Sequence, residues 1–539
     1  MCFIVKGGVK MNEPLLLVGI VILICVLIHR WTEKLPVPSL LIFLGLGMLF
    51  GENGIFRIPF DDYLMSEWIC SIALVFIIYY GGFGINLKEA KKVIVPSVLL
   101  STIGVVLTTV FVGLFVHWTL KLSLLEGMLI GAVISSTDAA SVFSVLRAQK
   151  LSLKYSTDSL LEMESGSNDP FSYMLTVVFT ALLLAQEVSI PLLLISQVVF
   201  GCLAGILMGK IGVYALNRLN TSLDQAETIL VVATVLIAYA LPAVFGGNGY
   251  ISVYLCGIIM GNADIPKKKE HVHFFDTLTG IAQMLIFFLL GLLVTPMNLS
   301  EVFVPALVIM LFLTFVARPL AVSLLLAFNQ SKIKQIGLVS WAGFRGAASI
   351  VFAIYVVVRN VEMTYPLFNL VFCIVLLSIA IQGSLLPFVS RVLKMIDYDK
   401  NIQRTFNDYQ ENTAINFVRL HIDEGHKWEG KLIRELELPN EILIVLLVRN
   451  QLDLVVPRGD TKIEKGDLLV LAGQEFDDRS QFMLQEVVIA NNHKWNHRSL
   501  SDIAMKKGLI VMLQRGKDTI VPSGDTVLQE DDVLVIAKF

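Results

Sequence analysis

Charged side chains are scarce over most of this sequence. Of 539 residues, 16% are Asp, Glu, Lys or Arg and 55% are hydrophobic, whereas about 25% of a typical soluble protein is charged. The scarcity is uneven, because 42 of the 87 charged residues lie between Asp397 and the C-terminus. The first three quarters therefore have the composition of a membrane protein, and the last quarter that of a soluble one. This excludes a soluble enzyme, a fibrous chain and a disordered chain.

Several motifs with a known chemistry are also missing. There is no G-x-x-x-x-G-K-[ST] phosphate loop and no H-E-x-x-H signature, so we predict neither an ATP-driven pump nor an enzyme, and no cofactor. Six scattered cysteines form no C-x-x-C pair, which favours buried free thiols over a metal site. A net charge of −3 gives no indication of a nucleic-acid partner.

Long apolar runs recur along the first 394 residues. A helix needs about 20 mostly apolar residues to cross about 30 Å of hydrocarbon, and Gly or Pro is tolerated where neighbouring helices satisfy the backbone. Thirteen runs are recognisable, at 14–29, 37–52, 65–80, 92–117, 124–147, 157–185, 190–216, 226–245, 248–262, 271–295, 301–327, 333–358 and 365–392. They predict a polytopic all-α membrane domain in the lipid bilayer, and either Met1 or Met11 is its start.

The distribution of Lys and Arg between the runs predicts the orientation. Alternate connections, beginning with the one after the first run, carry sixteen Lys and Arg residues. The opposite connections carry three, Arg57, Lys121 and Arg359. Because positive loops stay in the cytoplasm, we expect the N-terminus outside and the C-terminal region inside, in a multi-pass protein of the cell inner (cytoplasmic) membrane.

The soluble tail contains an internal repeat. The segment 455–461, Val-Val-Pro-Arg-Gly-Asp-Thr, returns 65 residues later as Ile-Val-Pro-Ser-Gly-Asp-Thr. Around each copy lie short β-rich runs, at 442–448 and 468–471 and again at 509–513 and 533–536, and a helical candidate, at 432–436 and 500–506. We predict these boundaries: transmembrane domain 12–394, linker 395–427, first α+β unit 428–475, connector 476–494 and second unit 495–539.

One apolar run contains three carboxylates within nine residues. The segment 162–170 reads Glu-Met-Glu-Ser-Gly-Ser-Asn-Asp-Pro, and an ionisable residue at membrane depth is costly and commonly functional. Ser165 and Asp169 are four residues apart and share a helix face, which suits an alkali cation or a proton. Glu162 fits equally well as a solvated acid at a helix end.

A second polar cluster lies in the middle of the preceding run. The segment 135–141 reads Ser-Ser-Thr-Asp-Ala-Ala-Ser, and such residues can replace lost helix hydrogen bonds. Local unwinding here would turn carbonyl groups and Asp138 toward a cation. The alternative is a packing patch in which Asp138 is hydrogen-bonded to a neighbouring helix.

The third cluster is Gly-Phe-Arg-Gly-Ala-Ala-Ser at 343–349, and it places Arg345 deep in the twelfth run. Because the guanidinium is permanently charged, we predict that it pairs with a buried acid, and Glu164 is the partner we choose. The alternative is that Arg345 extends to the cytoplasmic face. For Arg318, which is nearer that face, packing and such extension are both open.

These three clusters together resemble the monovalent cation:proton antiporters of the NhaP/sodium–proton exchanger type. The resemblance covers residues 12–394 and rests on Glu-Ser-x-x-Asn-Asp, Thr-Asp and Phe-Arg-Gly-Ala, in a chain of thirteen runs. It implies inverted repeats, interrupted crossing helices and a homodimer in which a core domain moves against a dimer domain. It implies that Asp169 carries cation and proton alternately, and that oxygens of Thr137, Asp138 and Ser165 support the cation.

The resemblance also suggests roles for three more positions. Asn168 matches an Asn associated with electroneutral exchange, and Glu164 and Arg345 match a structural ion pair. One carboxylate that binds either a proton or a cation, and that rarely crosses the membrane empty, would couple the two fluxes without nucleotide hydrolysis.

The repeated tail resembles the C-terminal (TrkA-C, or RCK_C) module of regulators of potassium conductance, present twice. Such modules accompany potassium transport, which favours K⁺ over Na⁺, and some bind cyclic di-AMP at a dimer interface. The same modules gate channels, so a ligand-gated cation channel is the alternative to an antiporter. The nearest string to a carbonyl filter, Gly-Gly-Asn-Gly-Tyr at 246–250, lacks the Thr-Val-Gly-Tyr-Gly pattern and better suits a tight turn.

Overall fold

The structure is a computed structural model of the chain. It describes residues 39–397 and 415–538, together with positions 19 and 23. Within those ranges it leaves out 53, 59, 92, 149–150, 152, 219–224, 295, 328–330, 437, 439–441, 450–452, 475–482, 491–492, 504–508, 516–517 and 521. The chain divides into two compact units, residues 1–401 and 402–539, which are described separately below.

The first unit consists, in its described residues, of helices joined by turns and short loops. Its helices, numbered in chain order, are α1 (Ser39–Phe50), α2 (Tyr63–Gly84), α3 (Ile94–Leu120), α4 (Leu124–Val133), α5 (Ala139–Ala148), α6 (Thr157–Leu183), α7 (Ile190–Arg218), α8 (Ala226–Ala243), α9 (Gly249–Asn262), α10 (Lys268–Leu293), α11 (Leu299–Ala327), α12 (Ile333–Trp341), α13 (Ala347–Val358) and α14 (Leu367–Val392). Seven of these described helices are long and apolar enough to cross a membrane.

These helices fall on the predicted apolar runs from the second to the thirteenth. The first run, 14–29, lies outside the described ranges. Capping residues fix several helix starts, since an N-cap side chain satisfies an N–H group that the first turn leaves without a partner. Asp62 accepts a hydrogen bond from Met65 N at 2.8 Å before α2, and Ser123 and Glu126 form a reciprocal capping box at the start of α4.

Two of the predicted runs are each split into two helices. The fifth run forms α4 and α5, which are separated by the non-helical residues Ser135–Asp138, and the twelfth forms α12 and α13, separated by Gly343–Gly346. The two interruptions touch, because Asp138 N donates to Phe344 O at 2.9 Å. The unwinding expected at the Ser-Ser-Thr-Asp segment is therefore present, and a second unwinding faces it. The inverted repeat stays a prediction.

The helices of the first unit pack in two groups. The first group contains α1, α2, α7, α8, α9 and α10, and the second contains α3 to α6 and α11 to α14. Glycines permit the closest approaches, as where Gly82 of α2 meets the backbone of α9 at Tyr254, and Gly131 of α4 meets that of α3 at Thr109. The groups contact each other mainly through α6 and α13, which lie against α2 and α9.

The second unit contains two four-stranded antiparallel sheets of the same topology. The strands are β1 (Ile415–His421), β2 (Ile442–Arg449), β3 (Asp453–Val455), β4 (Leu468–Gln474), β5 (Met483–Val488), β6 (Leu509–Arg515), β7 (Asp518–Ile520) and β8 (Val533–Lys538). Their orders are β1-β4-β2-β3 and β5-β8-β6-β7. The predicted repeat is thus a repeat of structure, and both copies have their own small apolar core.

The first strand of each sheet lies outside the predicted unit. β1 falls in the segment assigned to the linker 395–427 and β5 in the connector 476–494. Both are edge strands whose residues vary between the repeats, so a repeat-based boundary begins too late. The helical candidate 432–436 contains a single 3₁₀ turn, Ile433–Glu435, and the described part of the candidate 500–506 contains another, Leu500–Asp502.

Candidate functional site

Four helix ends meet where the two interrupted helices cross. α4 and α12 end there and α5 and α13 begin there, and the carbonyl groups and N–H groups of such helix ends need partners from outside their own helix. A helix end carries about half an elementary charge, negative at the C-terminus and positive at the N-terminus. The crossing therefore offers carbonyl oxygens to a cation and N–H groups to a carboxylate, deep in the helical unit.

Arg345 satisfies the carbonyl end of α4. Its Nη1 donates to Ser135 O at 2.7 Å and to Ser136 O at 2.8 Å, and its main-chain N donates to Ser378 Oγ at 3.1 Å. The residue is 1% exposed, so it does not extend to the cytoplasmic face. Ser378 is placed by a π-helical segment within α14, Ser378–Gly383, a distortion that is frequent at functional sites.

Asp138 lies at the start of α5 and faces the other interruption. Its carboxylate accepts from Ser141 N at 3.3 Å and from Ser141 Oγ at 2.5 Å. Any side chain at position 346 would overlap this carboxylate, because a Cβ built on Gly346 meets the carboxylate carbon and oxygen of Asp138. Glycine at 346 therefore lets the two unwound segments approach each other.

Asp169 lies on α6, directly beside the unwound residues. It is 8% exposed and accepts a hydrogen bond from Ser136 Oγ. Its neighbours hold the same segment, since Asn168 Nδ2 donates to Thr137 Oγ1 at 2.5 Å and Ser165 Oγ donates to Thr137 O at 2.7 Å. One face of α6 thus holds the interruption in place, because Ser165, Asn168 and Asp169 all form hydrogen bonds with its unwound residues.

All five residues predicted to bind the ion lie together at this crossing, namely Thr137, Asp138, Ser165, Asn168 and Asp169. Sequence reasoning missed Ser136 and Ser378 as individual positions. Ser136 could have been found, because it lies in the hydroxyl-rich cluster, whereas nothing in the surroundings of Ser378 distinguishes it from other serines. Carboxylate, hydroxyl and carbonyl oxygens are hard ligands that suit alkali cations and exclude soft transition metals.

The prediction that Glu164 pairs with Arg345 is wrong in this structure. Glu164 Oε1 lies 2.6 Å from Nη2 of Arg318, and the two side chains are 1% and 4% exposed. Arg318 stands on α11, next to a π-helical segment, Leu313–Ala317. Packing rather than extension toward the cytoplasm therefore describes Arg318, and Arg345 is left to the end of α4.

The local backbone explains why Glu164 pairs with Arg318 and not with Arg345. A Cβ at Gly343 would overlap the Arg318 side chain, so glycine there opens the path along which Arg318 reaches α6. The guanidinium of Arg345 projects from the interrupted segment itself and meets the carbonyl groups of the other interruption first. A lone arginine in a helix without an interruption would have lacked those acceptors.

Two further features of the sequence are resolved by the fold. α6 continues through Pro170, whose carbonyl accepts from Asn248 Nδ2 at 2.9 Å. The Gly-Gly-Asn-Gly-Tyr string lies in the turn between α8 and α9, and Asn248 caps α9 through Tyr250 N and Ile251 N. The string is therefore a helix-capping turn, as its composition suggested.

Comparison with known proteins identifies the family of the chain. The family model described as "Sodium/hydrogen exchanger, transmembrane" matches residues 19–392, and the TrkA-C domain matches residues 417–475 and 484–537. The K(+)/H(+) antiporter NhaP2 of Shewanella sp. (strain ANA-3) is 34% identical over 475 residues, which are 86% of this chain and 82% of that protein. The K(+)/H(+) antiporter NhaP of Alkalimonas amylolytica is 36% identical over 387 residues, 71% and 67% of the two chains.

A solved structure is also similar. The sodium proton antiporter MjNhaP1 from Methanocaldococcus jannaschii, at 26% sequence identity, superposes with a TM-score of 0.64 over 71% of this chain and 99% of that one. The matched share of this chain is close to the extent of the helical unit. The chain therefore belongs to the sodium/hydrogen exchanger family and carries two TrkA-C domains after its membrane domain.

Proposed function

We propose that the protein exchanges one monovalent cation, K⁺ in preference to Na⁺, for one proton, with Asp169 as the shared binding group. The observation that carries the proposal is the position of this carboxylate. It is buried beside two touching helix interruptions and is hydrogen-bonded by the hydroxyl of Ser136. Hydroxyl and carbonyl oxygens lie near enough to replace part of the water shell of a cation.

Coupling follows from the use of a single carboxylate. Burying Asp169 with its charge uncompensated is costly, so we expect it to cross the membrane with either a proton or a cation bound. Glu164 is matched by Arg318, and Asp138 is held at the start of α5 by Ser141. These neighbours are structural in the proposal, and Asp169 is the group that changes its occupant.

The choice of K⁺ rests on the relatives and on the tail. Two relatives that cover most of the chain are named K(+)/H(+) antiporters, and the two TrkA-C domains belong to a module that accompanies potassium transport.

We further propose that the tail regulates exchange, that cyclic di-AMP is its ligand and that the protein is a homodimer in the cytoplasmic membrane. The excess of Lys and Arg on alternate loops supports an external N-terminus and a cytoplasmic tail.

The test is proton movement in everted membrane vesicles that contain Asp169→Asn. We expect K⁺- and Na⁺-dependent dequenching of a pH-sensitive dye to disappear, because an amide cannot take up or release the exchanged proton. Asp158→Asn is the matched control, since it makes the same substitution on α6, in its first turn and eleven residues from the site. Retained exchange by Asp169→Asn, at normal membrane abundance, would contradict the assignment.

A further inference from the structure

We propose that four tyrosines and one ion pair form the external gate of the transport path. The tyrosine cluster consists of Tyr173, Tyr239, Tyr250 and Tyr355, and the latch is the ion pair of Arg359 with Glu67. The inference deepens the proposed antiport, since a gate is required wherever one site is exposed alternately to two sides. It concerns residues to which neither the three sequence motifs nor the ion site gives a role.

The cluster stands one helical turn outside the proposed ion site. Tyr173 follows Asp169 by four residues on α6, so both lie on one face of that helix. Its ring centroid is 4.9 Å from that of Tyr250 and 5.3 Å from that of Tyr355, and Tyr239 lies 5.2 Å from Tyr250. These are contact distances for aromatic pairs, which prefer centroids about 4.5–7 Å apart, so the four rings form one chain of contacts.

The tyrosines come from both groups of helices. Tyr173 and Tyr355 belong to α6 and α13 of the second group, and Tyr239 and Tyr250 belong to α8 and α9 of the first. The closest ring contact, between Tyr173 and Tyr250, crosses from one group to the other. Movement of the groups against each other would therefore separate the rings, whereas movement within one group would not.

The latch also joins the two groups of helices, nearer to the external end of the helices. Arg359 follows the last turn of α13, and its Nη1 lies 2.9 Å from Oε1 of Glu67 on α2. The Arg359 Cζ atom stands 3.3 Å from the ring centroid of Tyr355, and Nη1 also donates to the carbonyl of Tyr355 at 2.9 Å. The guanidinium thus joins the cluster on one group to a carboxylate on the other.

Exposure differs between the two directions along α6. Toward the cytoplasmic end in the proposed orientation, Glu162 lies seven residues before Asp169, on the same face, and is exposed. Toward the external end, Tyr250 is 2% exposed, and Phe352 beneath the cluster is 1% exposed. In the proposal this structure is a state closed on the external side, and opening to that side separates both the latch and the rings.

Ordinary packing of aromatic residues is the alternative, and thiol labelling separates the two. Ser71 lies one turn from Glu67 on α2, beside Tyr250. In Ser71→Cys, a membrane-impermeant maleimide added to right-side-out vesicles reports opening to the outside. The rate of labelling is measured in Ser71→Cys alone and in Ser71→Cys combined with Arg359→Gln, with Glu67→Gln or with both. The corresponding chains that keep Ser71 give the background labelling of the native cysteines.

We expect either single substitution to accelerate labelling about two- to fivefold, which is the range for a partly exposed ion pair. The double substitution should be no faster than the single ones, because the pair is broken once. Lys121→Gln is the matched control, since it removes another exposed positive charge from a connection on the same predicted side, and it should leave the rate unchanged.

Unchanged labelling in both single variants, or acceleration that is independent and additive in the double variant, would overturn the gate. Because Glu67 and Arg359 are substituted separately, misfolding of one variant does not prevent the test with the other. Because labelling does not depend on ion flux, it can be measured in Asp169→Asn as well. A failed gate is thereby distinguished from a failed antiport assignment.

Discussion

Replacing Arg318 by Met would leave Glu164 as a buried carboxylate without its cation. The two groups are 2.6 Å apart and are 4% and 1% exposed, so water cannot take the place of the lost partner. Removing one member of a buried pair typically costs about 3–5 kcal/mol, because the remaining charge must be neutralised or hydrated. We expect Arg318→Met to lower the thermal stability of the detergent-solubilised protein strongly.

Adding Glu164→Gln to Arg318→Met tests whether the uncompensated carboxylate causes the loss of stability. In Arg318→Met with Glu164→Gln, the uncompensated charge is gone, and replacing a buried pair by uncharged groups of similar volume is often nearly neutral. The double variant should therefore recover most of the stability that Arg318→Met loses. The recovery, measured as a coupling free energy, should amount to about 2–3 kcal/mol, near the upper end of such couplings.

The matched comparison replaces Arg345 instead. Its Nη1 hydrogen bonds go to the carbonyl groups of Ser135 and Ser136, so Arg345→Met leaves the end of α4 without donors whether or not Glu164 is charged. Adding Glu164→Gln should not restore stability to this variant. The assay is thermal unfolding of solubilised protein, followed by the monodisperse fraction that remains after heating. Rescue of Arg345→Met by Glu164→Gln, without rescue of Arg318→Met, would refute the pairing described above.

Two further substitutions test separate parts of the chain. Gly346→Ala should destabilise the helix crossing and abolish exchange, because a Cβ there overlaps Asp138. Gly280→Ala is the control, since a Cβ at position 280 has nothing within 4 Å. Both variants are compared with the native chain by thermal unfolding and by dye dequenching. In the tail, burial alone would raise the pKa of Asp532, but hydrogen bonds from Arg515 and from the Gln529 backbone lower it below its ordinary value. A lowered folded-state pKa contributes stability that is lost as pH falls through it. Hydrogen exchange in β8 of the full chain should therefore lose protection on acidification, and Arg515→Met should already have lost it at neutral pH; pH-independent protection in both would contradict this.

The apolar composition was sufficient to predict the helical unit, whereas its family was inferred from the resemblance of three motifs. Long apolar runs specify membrane helices strongly, since an unsatisfied backbone group in hydrocarbon is too costly to be common. The family inferred from three short motifs is confirmed by a model that matches residues 19–392. The repeat in the tail predicted two equivalent units but not their edge strands, because β1 and β5 owe their place to pairing with β4 and β8, which local sequence does not express.

The ion site was predictable as a set of residues and unpredictable as a set of contacts. Charged residues in apolar runs are so few that Asp138 and Asp169 stand out one by one. Which arginine meets Glu164 depends on how α11 and the second interruption are placed around α6, a matter of depth and rotation. Arg318 and Arg345 both lie in apolar runs, and the difference between them is that Arg345 lies inside a break that faces the carbonyl groups of the other interruption.

The corrected pairing bears on the charge of the ion that can be carried. Within the described part of the crossing, Glu164 and Arg318 form an ion pair, and the formal charges of Arg345 and Asp138, one on each interruption, sum to zero. Asp169 then adds one negative charge, which one proton or one monovalent cation neutralises. A divalent cation would leave a buried excess of one positive charge, and an empty site an excess of one negative charge, both of which are costly to move through hydrocarbon. This count agrees with the one-for-one exchange proposed above, in which the selection between K⁺ and Na⁺ depends on the spacing of the hydroxyl and carbonyl oxygens around Asp169.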